Sequence, residues 1–271
     1  MDRWRKRGAG GIEALHAPAR GATEVVGARQ RAAGRVRRSG TVGRMSSKAV
    51  EDYLKTIFHL SRGGEAASTS AIAERLSVAA GSVTGMLKRL AERRLVEHVP
   101  YYGARLTARG EREAIRMIRR HRVLEQFLVQ MLGYTWDRVH VEAERLEHAA
   151  SDELIDRLAA LLGEPEADPH GAPIPGPGER FVDRRYPPLS ALKPGDRAVL
   201  RRVEDEDPQA LRYLAELKLV PGAELEVLER APFDGPIRLR VGGEEQYIGT
   251  AIAETLQVET EAAADLEGAN G

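Results

Sequence analysis

Hydrophobic residues set the first pattern along this chain. From Ser47, Val50, Tyr53, Leu54, Ile57, Phe58 and Leu60 recur at helical spacing behind Ser46 and Ser47, either of which can cap a helix. A second apolar set, Ala71, Ile72, Leu76, Val78, Val83, Met86, Leu87 and Leu90, spans two helical stretches separated by the short break SVAAG. Two helices joined by a tight turn predict a helix-turn-helix. The following run, LVEHVPYYGARLTARG, predicts two strands over 95–99 and 104–107 around a Tyr-Tyr-Gly turn. A hairpin placed there is a wing, and Thr107 caps the next helix.

Helical periodicity then predicts helices over 108–132 and 137–162. The second carries Leu154, Ile155, Leu158, Leu161 and Leu162 and stops at Gly163. A helical pair is too small to enclose that leucine face, which implies a partner subunit and a homodimer. The segment 164–188 is rich in Pro and Gly and has no period, so it reads as a linker, with His170 in a structural role. Beyond it the runs RAVLRRV, AELEVLER, IRLRV and EEQYIG alternate with glycine turns, and PQALRYLAELKL interrupts them as a helix. Short strands with such turns predict a small SH3-like β-barrel.

The expected organisation is therefore mainly α with a small β domain. It comprises a basic extension (1–44), a winged-helix unit (45–109), a helical metal-binding and dimerisation unit (110–163), the linker, the barrel (189–258) and a loose tail (259–271). Composition changes this picture in two places. The formal net charge is zero, yet residues 1–44 hold eleven Lys or Arg against three acids, so the remainder is acidic by eight. DNA binding by the folded part must then rest on a local patch rather than on global charge. The extension lacks an apolar period and is expected to be disordered or a product of start-site choice. No apolar run reaches the length of a membrane span, and no signal-peptide pattern opens the chain, so the expected compartment is the cytoplasm.

The local patch lies on the second helix of the helix-turn-helix. Ser82 and Thr84 are small enough to let its first turns approach base edges, while Lys88 and Arg89, with Arg105 on the wing, can answer phosphates. The metal chemistry lies further on. His121 and Glu125 are four residues apart, and His140, Glu144 and His148 repeat that interval with Glu147 beside the last. On helices that spacing stacks donors on one face. Glu and His at this spacing usually line a solvated face, but here three of seven histidines fall in phase with carboxylates beside apolar residues. There is no cysteine, so a metal must be held by imidazole, carboxylate, carbonyl and water, a set that suits manganese or ferrous iron better than structural zinc.

A winged helix, two donor columns, a Pro-rich linker and a small barrel, with the motifs EDYLKTI, RRHRVLEQFL, VHVEAERLEHAASDEL and DPHGAPIPG in order, resemble the diphtheria toxin repressor family of metal-dependent regulators. The resemblance covers residues 47–258. It implies a primary metal site of Asp52, Glu144, Glu147 and His148, and an ancillary site of His121, Glu125 and His140 completed by Glu206 and Gln209. Iron-responsive members carry Met and Cys where this chain has Asp52 and Glu144. Hard oxygen donors at both positions therefore favour Mn2+, with Fe2+ as the alternative. The implied function is repression of metal-uptake genes at operator DNA, without enzymatic activity. Two other readings are a metal-independent winged-helix factor and a metal hydrolase, since EAERLEH partly resembles an H-x-x-E-H zinc motif. For the latter, Glu144 stands where the first histidine is needed, and no nucleophile or oxyanion constellation accompanies it.

Overall fold

The computed structural model describes residues 47–61, 65–99, 102–178, 181, 183–204 and 207–260. The basic extension, Glu206 and the chain beyond 260 lie outside the described residues. The first unit contains α1 (Ser47–Leu60), α2 (Thr69–Arg75), α3 (Ala80–Glu92) and the antiparallel pair β1 (Val96–Val99) and β2 (Gly103–Leu106). Ser68 caps α2 by accepting a hydrogen bond from the Ala71 amide, and Leu54, Ile57, Ile72, Val83, Leu87 and Leu90 close the core between the helices. This is the expected winged helix-turn-helix. Its second strand starts and ends one residue earlier than the sequence suggests, because the Thr107 side chain is committed to capping the next helix at Gly110.

That helix, α4 (Ala108–Leu132), runs unbroken for 25 residues and ends at Gly133 in the left-handed region. The predicted helix 137–162 is instead two helices, α5 (Val139–Leu146) and α6 (Asp152–Leu161). The reason is local. Ser151 accepts a hydrogen bond from the Leu154 amide, and Asp152 and Glu153 favour a helix N-terminus, so the chain restarts there rather than continuing. Val123, Leu124, Leu128, Val139, Ala143, Ile155 and Ala159 hold α4, α5 and α6 together.

The C-terminal unit follows a short 3-10 turn (Leu189–Ala191): β3 (Arg197–Val203), α7 (Pro208–Glu216), β4 (Glu224–Arg230), β5 (Ile237–Val241), β6 (Glu244–Ile248), α8 (Thr250–Thr255) and β7 (Leu256–Thr260). The sheet order is β6-β5-β4-β3-β7, all antiparallel, so the expected barrel is an open one whose edge strands do not pair with each other. Leu200, Leu211, Leu214, Val227, Leu239, Ile248, Leu256 and Val258 fill it. The fifth strand, β7, is additional to the four that the sequence predicts. α8 was not anticipated, and the segment expected to loosen at 259 is strand as far as Thr260, with Glu259 buried and paired to Arg201 at 2.6 Å.

The stretch expected to be a linker is built into the structure. Val203 N–H donates to the His170 carbonyl, and the Arg119 and Arg122 guanidinium groups of α4 donate to the carbonyls of Pro175 and Pro173. Gly171 has a φ of +82°, and a Cβ there would lie 1.9 Å from the Arg201 carbonyl oxygen. Only glycine allows this strap to lie so close against β3. Among the described residues no helix is long and apolar enough to cross a membrane.

Candidate metal centre

Three elements deliver the donors. α1 carries Asp52. One turn of α4 separates His121 from Glu125, and one turn of α5 separates His140 from Glu144. Glu147 caps α5, and His148 follows in the turn beyond, so the anticipated second column is only partly helical. The cavity between them measures about 540 Å³ and is lined by Asp52, Lys55, His121, Glu125, His140 and Glu144, and also by Asp168, His170 and Arg202.

The primary set comes together as the resemblance implies. One donor atom from each of Asp52, Glu144, Glu147 and His148 lies within 4.8 Å of the others. His148 Nδ1 is 2.7 Å from Glu51 Oε2, a contact that orients the ring and turns Nε2 inward. That Nε2 is 3.1 Å from Asp52 Oδ1. Both atoms are buried, and neither makes a directed hydrogen bond among the described residues. Two inward-facing, unsatisfied ligand atoms of opposite elements beside two further carboxylates fit a divalent cation as a shared third partner. Burial raises the Asp52 pKa, with the neighbouring His148 opposing it.

The ancillary trio is equally close. His121 Nε2 lies 2.9 Å from Glu125 Oε1 and 3.1 Å from His140 Nδ1, and His140 Nδ1 is 3.2 Å from the same Glu125 oxygen. Burial alone would lower the His121 pKa, but Glu125 and Glu147 on its two sides hold it up at about 10. Glu125 is correspondingly held well below the usual carboxylate range: its burial opposes this, and His121 overcomes it. The two sets are not separate. His121 Nδ1 is 2.6 Å from Glu147 Oε2, and Glu144 Oε1 is 3.7 Å from that Nδ1 and 4.0 Å from His140 Nε2.

Of the two C-terminal residues that the resemblance implies for this site, Glu206 lies outside the described residues. Gln209 sits exposed in the first turn of α7, and no described contact ties its side chain to the trio. The strap takes that side of the cavity. Asp168 and His170 lie with Glu125 in a third set of converging donors. His170 Nε2 bonds the Trp136 carbonyl at 2.8 Å, as a structural histidine would, which leaves Nδ1 facing Glu125 at 3.8 Å. Asp168 accepts from the His170 and Ala172 amides, and burial followed by the Glu125 charge pushes its carboxyl up despite nearby Arg122. Sequence reasoning missed Glu51, Lys55 and Asp168. The DPHG spacing was the one available signal for the last.

The exposed face of the first unit carries the residues that the sequence singles out for DNA. On α3, Val83, Leu87 and Leu90 are buried, while Ser82, Thr84, Lys88 and Arg89 point outward, and Arg105 is exposed on the wing. Thr84 Oγ1 donates to the Ala80 carbonyl, which fixes the direction of its methyl group.

Three sequence families match successive parts of the chain. The sequence family described as the iron dependent repressor N-terminal DNA binding domain matches residues 45–104. The iron dependent repressor metal binding and dimerisation domain matches 107–176, and the FeoA domain matches 188–260. The chain is 30% identical to the iron-dependent repressor IdeR of Mycobacterium leprae over 222 residues, covering 77% of this chain and 96% of that one. It is 28% identical to the diphtheria toxin repressor of Corynebacterium diphtheriae over 223 residues, with the same coverages. Among solved structures, a manganese-dependent transcriptional repressor in complex with manganese superposes with a TM-score of 0.72 at 40% identity, covering 78% of this chain and 99% of that one. The manganese regulator SloR gives 0.65 at 37% identity, covering 78% and 98%. A winged helix, an α4–α5 donor cluster and a FeoA unit in this order, matched along their length by these relatives, establish that the chain belongs to the IdeR and diphtheria toxin repressor family of metal-dependent transcriptional repressors.

Proposed function

We propose that this chain represses metal-uptake genes and is activated by Mn2+ in preference to Fe2+. The observation that carries the reading is the approach of Asp52 on α1 to His148 beyond α5, because it spans the DNA-binding and dimerisation units. A bound divalent ion would supply the positive charge that draws Asp52, Glu144 and Glu147 together around His148 Nε2. Asp52 moves with α1, and α1 shares its core with α3, so closing that distance fixes the recognition helix relative to α5 and α6. DNA in its turn favours the closed arrangement and tightens metal binding by the same factor. His121, Glu125 and His140, with Asp168 and His170 from the strap, form the ancillary donors in this reading. Ser82 and Thr84 read bases, while Lys88, Arg89 and Arg105 hold phosphates.

Support for manganese comes from the primary set, in which oxygen donors outnumber the single imidazole and sulfur is absent. The test is operator binding followed by fluorescence anisotropy across Mn2+, Fe2+ and Zn2+, for the native chain and Asp52→Ala. Metal should tighten the native complex by a factor of about 5–150, the usual size of such coupling, with the largest effect from Mn2+. Asp52→Ala should keep the dimer and lose most of the tightening. A fully metal-activated Asp52→Ala protein overturns the mechanism.

A further inference from the structure

Lys55 stands one turn after Asp52 on the same face of α1, so the DNA-binding unit delivers an anion and a cation to the same place. Its ammonium contacts Glu144 Oε1 and lies 2.9 Å from Glu147 Oε1. Its side chain is 16% exposed, and Glu147 is fully buried. A mostly buried lysine could be an ordinary ion pair joining two helices. Two observations point further. Both of its partners belong to the primary metal set, and the oxygens it holds include one of the two that Glu147 can offer, the other being held by His121.

Charge makes the consequence specific. Asp52, Glu144 and Glu147 bring three negative charges to the set, and the positive charge of His121 is already matched by Glu125 on its other side. Lys48 also acts on Asp52, but from an exposed position where water screens it. Lys55 therefore leaves the set at minus two, the charge that one divalent ion neutralises. Without the lysine the same ion would face minus three at low dielectric and would be held more tightly.

We propose that Lys55 is the built-in counter-cation of the primary set, and that it lowers the affinity of that set for divalent metal by competing for the Glu144 and Glu147 oxygens. The proposal rests on the metal reading above. A sensor needs such a brake, because a site held too tightly stays loaded at every metal level and reports nothing. The same ammonium ties α1 to α5 before any ion binds, so it also stabilises the metal-free protein.

The experiment uses the full chain, stripped with chelator and titrated with Mn2+ by calorimetry, as the native protein, Lys55→Met, Lys55→Arg and Glu144→Gln. Glu144→Gln identifies which binding step belongs to the primary set. Lys55→Met should tighten that step at least tenfold and lower the melting temperature of the stripped protein, while Lys55→Arg, which keeps the charge, should stay within about threefold of native. An unchanged or weaker primary step in Lys55→Met overturns the proposal while leaving the metal reading intact. No saturable Mn2+ binding by the native chain overturns both. If Lys55→Met does not fold, Lys55→Gln replaces it with the same expectations.

Discussion

Glu147 has no exposed surface, and each of its oxygens is spoken for, one by His121 and the other by Lys55. Burial opposes ionisation, yet His121 and Lys55 hold its pKa below the usual carboxylate value. Such a group is a hub. Spacing in the sequence found His121, Glu125, His140 and Glu144 because each pair is one helical turn apart. It could not find Glu51 or Lys55, since their partners lie 97 and 89 residues away and nothing periodic connects them. Glu51 yields a test. Glu51→Gln should weaken primary metal binding by about 10–100-fold, the usual cost of losing a partner that orients a ligating histidine, without altering the ancillary step. Calorimetry separates the two, and an unchanged primary affinity would deny Glu51 that role. His121 yields another. With its pKa at about 10, it carries a proton throughout the neutral range, and an ion at Nε2 must displace it. Ancillary affinity should therefore rise about tenfold per pH unit between roughly pH 7 and 9, with about one proton released per ion. For folding the sign is opposite: the raised pKa contributes stability that is complete below about pH 6.5 and is lost as pH climbs through about 10. Titration in buffers of different ionisation enthalpy would reveal the proton, and an affinity flat across that range would contradict the assignment.

At the level of elements, periodicity located α4 to the residue and the first four strands of the C-terminal unit to within one position, because long amphipathic runs and glycine turns leave strong signals, but it left β7 unseen. It failed where a single side chain decides. Ser151 divides the predicted helix, and that division swings His148 out of the α5 column into the turn, where Glu51 can reach it. Proline and glycine content likewise marked 164–188 as a connector but could not show its carbonyls serving as acceptors for buried arginines. Gly171 is the weak point of that strap. Gly171→Ala would drive a methyl group into the Arg201 carbonyl at a positive φ, at a cost of about 1–3 kcal/mol, and should release the strap from β3. Faster proteolysis within 173–188 and a lower melting temperature are expected. Native resistance to both would show that the strap does not need this close approach.

For the molecule as a whole, exposed apolar residues point to the face on which two chains would meet. Val141, Leu146, Leu154 and Leu161 are exposed on α5 and α6, with Met131 and Leu132 at the end of α4. Exposed apolar residues concentrated on one unit mark an association surface, and the matched family domain is named for dimerisation. Leu154→Glu with Leu161→Glu should yield a monomer by sedimentation, with helix content retained and operator affinity reduced at least tenfold through lost bivalency. A dimer that survives both changes would place the interface elsewhere.

The unbroken course of α4 carries one more consequence. Its first turn is anchored to the wing, where Thr107 bonds the carbonyls of Arg94 and Leu95, and its middle holds His121 and Glu125. A rod of this kind works as a lever. At about 1.5 Å per residue His121 lies roughly 20 Å from the first turn, so tilting the helix by about 3° at the donors moves its wing end by roughly 1 Å. That is enough to make or break a hydrogen bond, so a small adjustment among the donor side chains at mid-helix can decide whether the wing meets a phosphate.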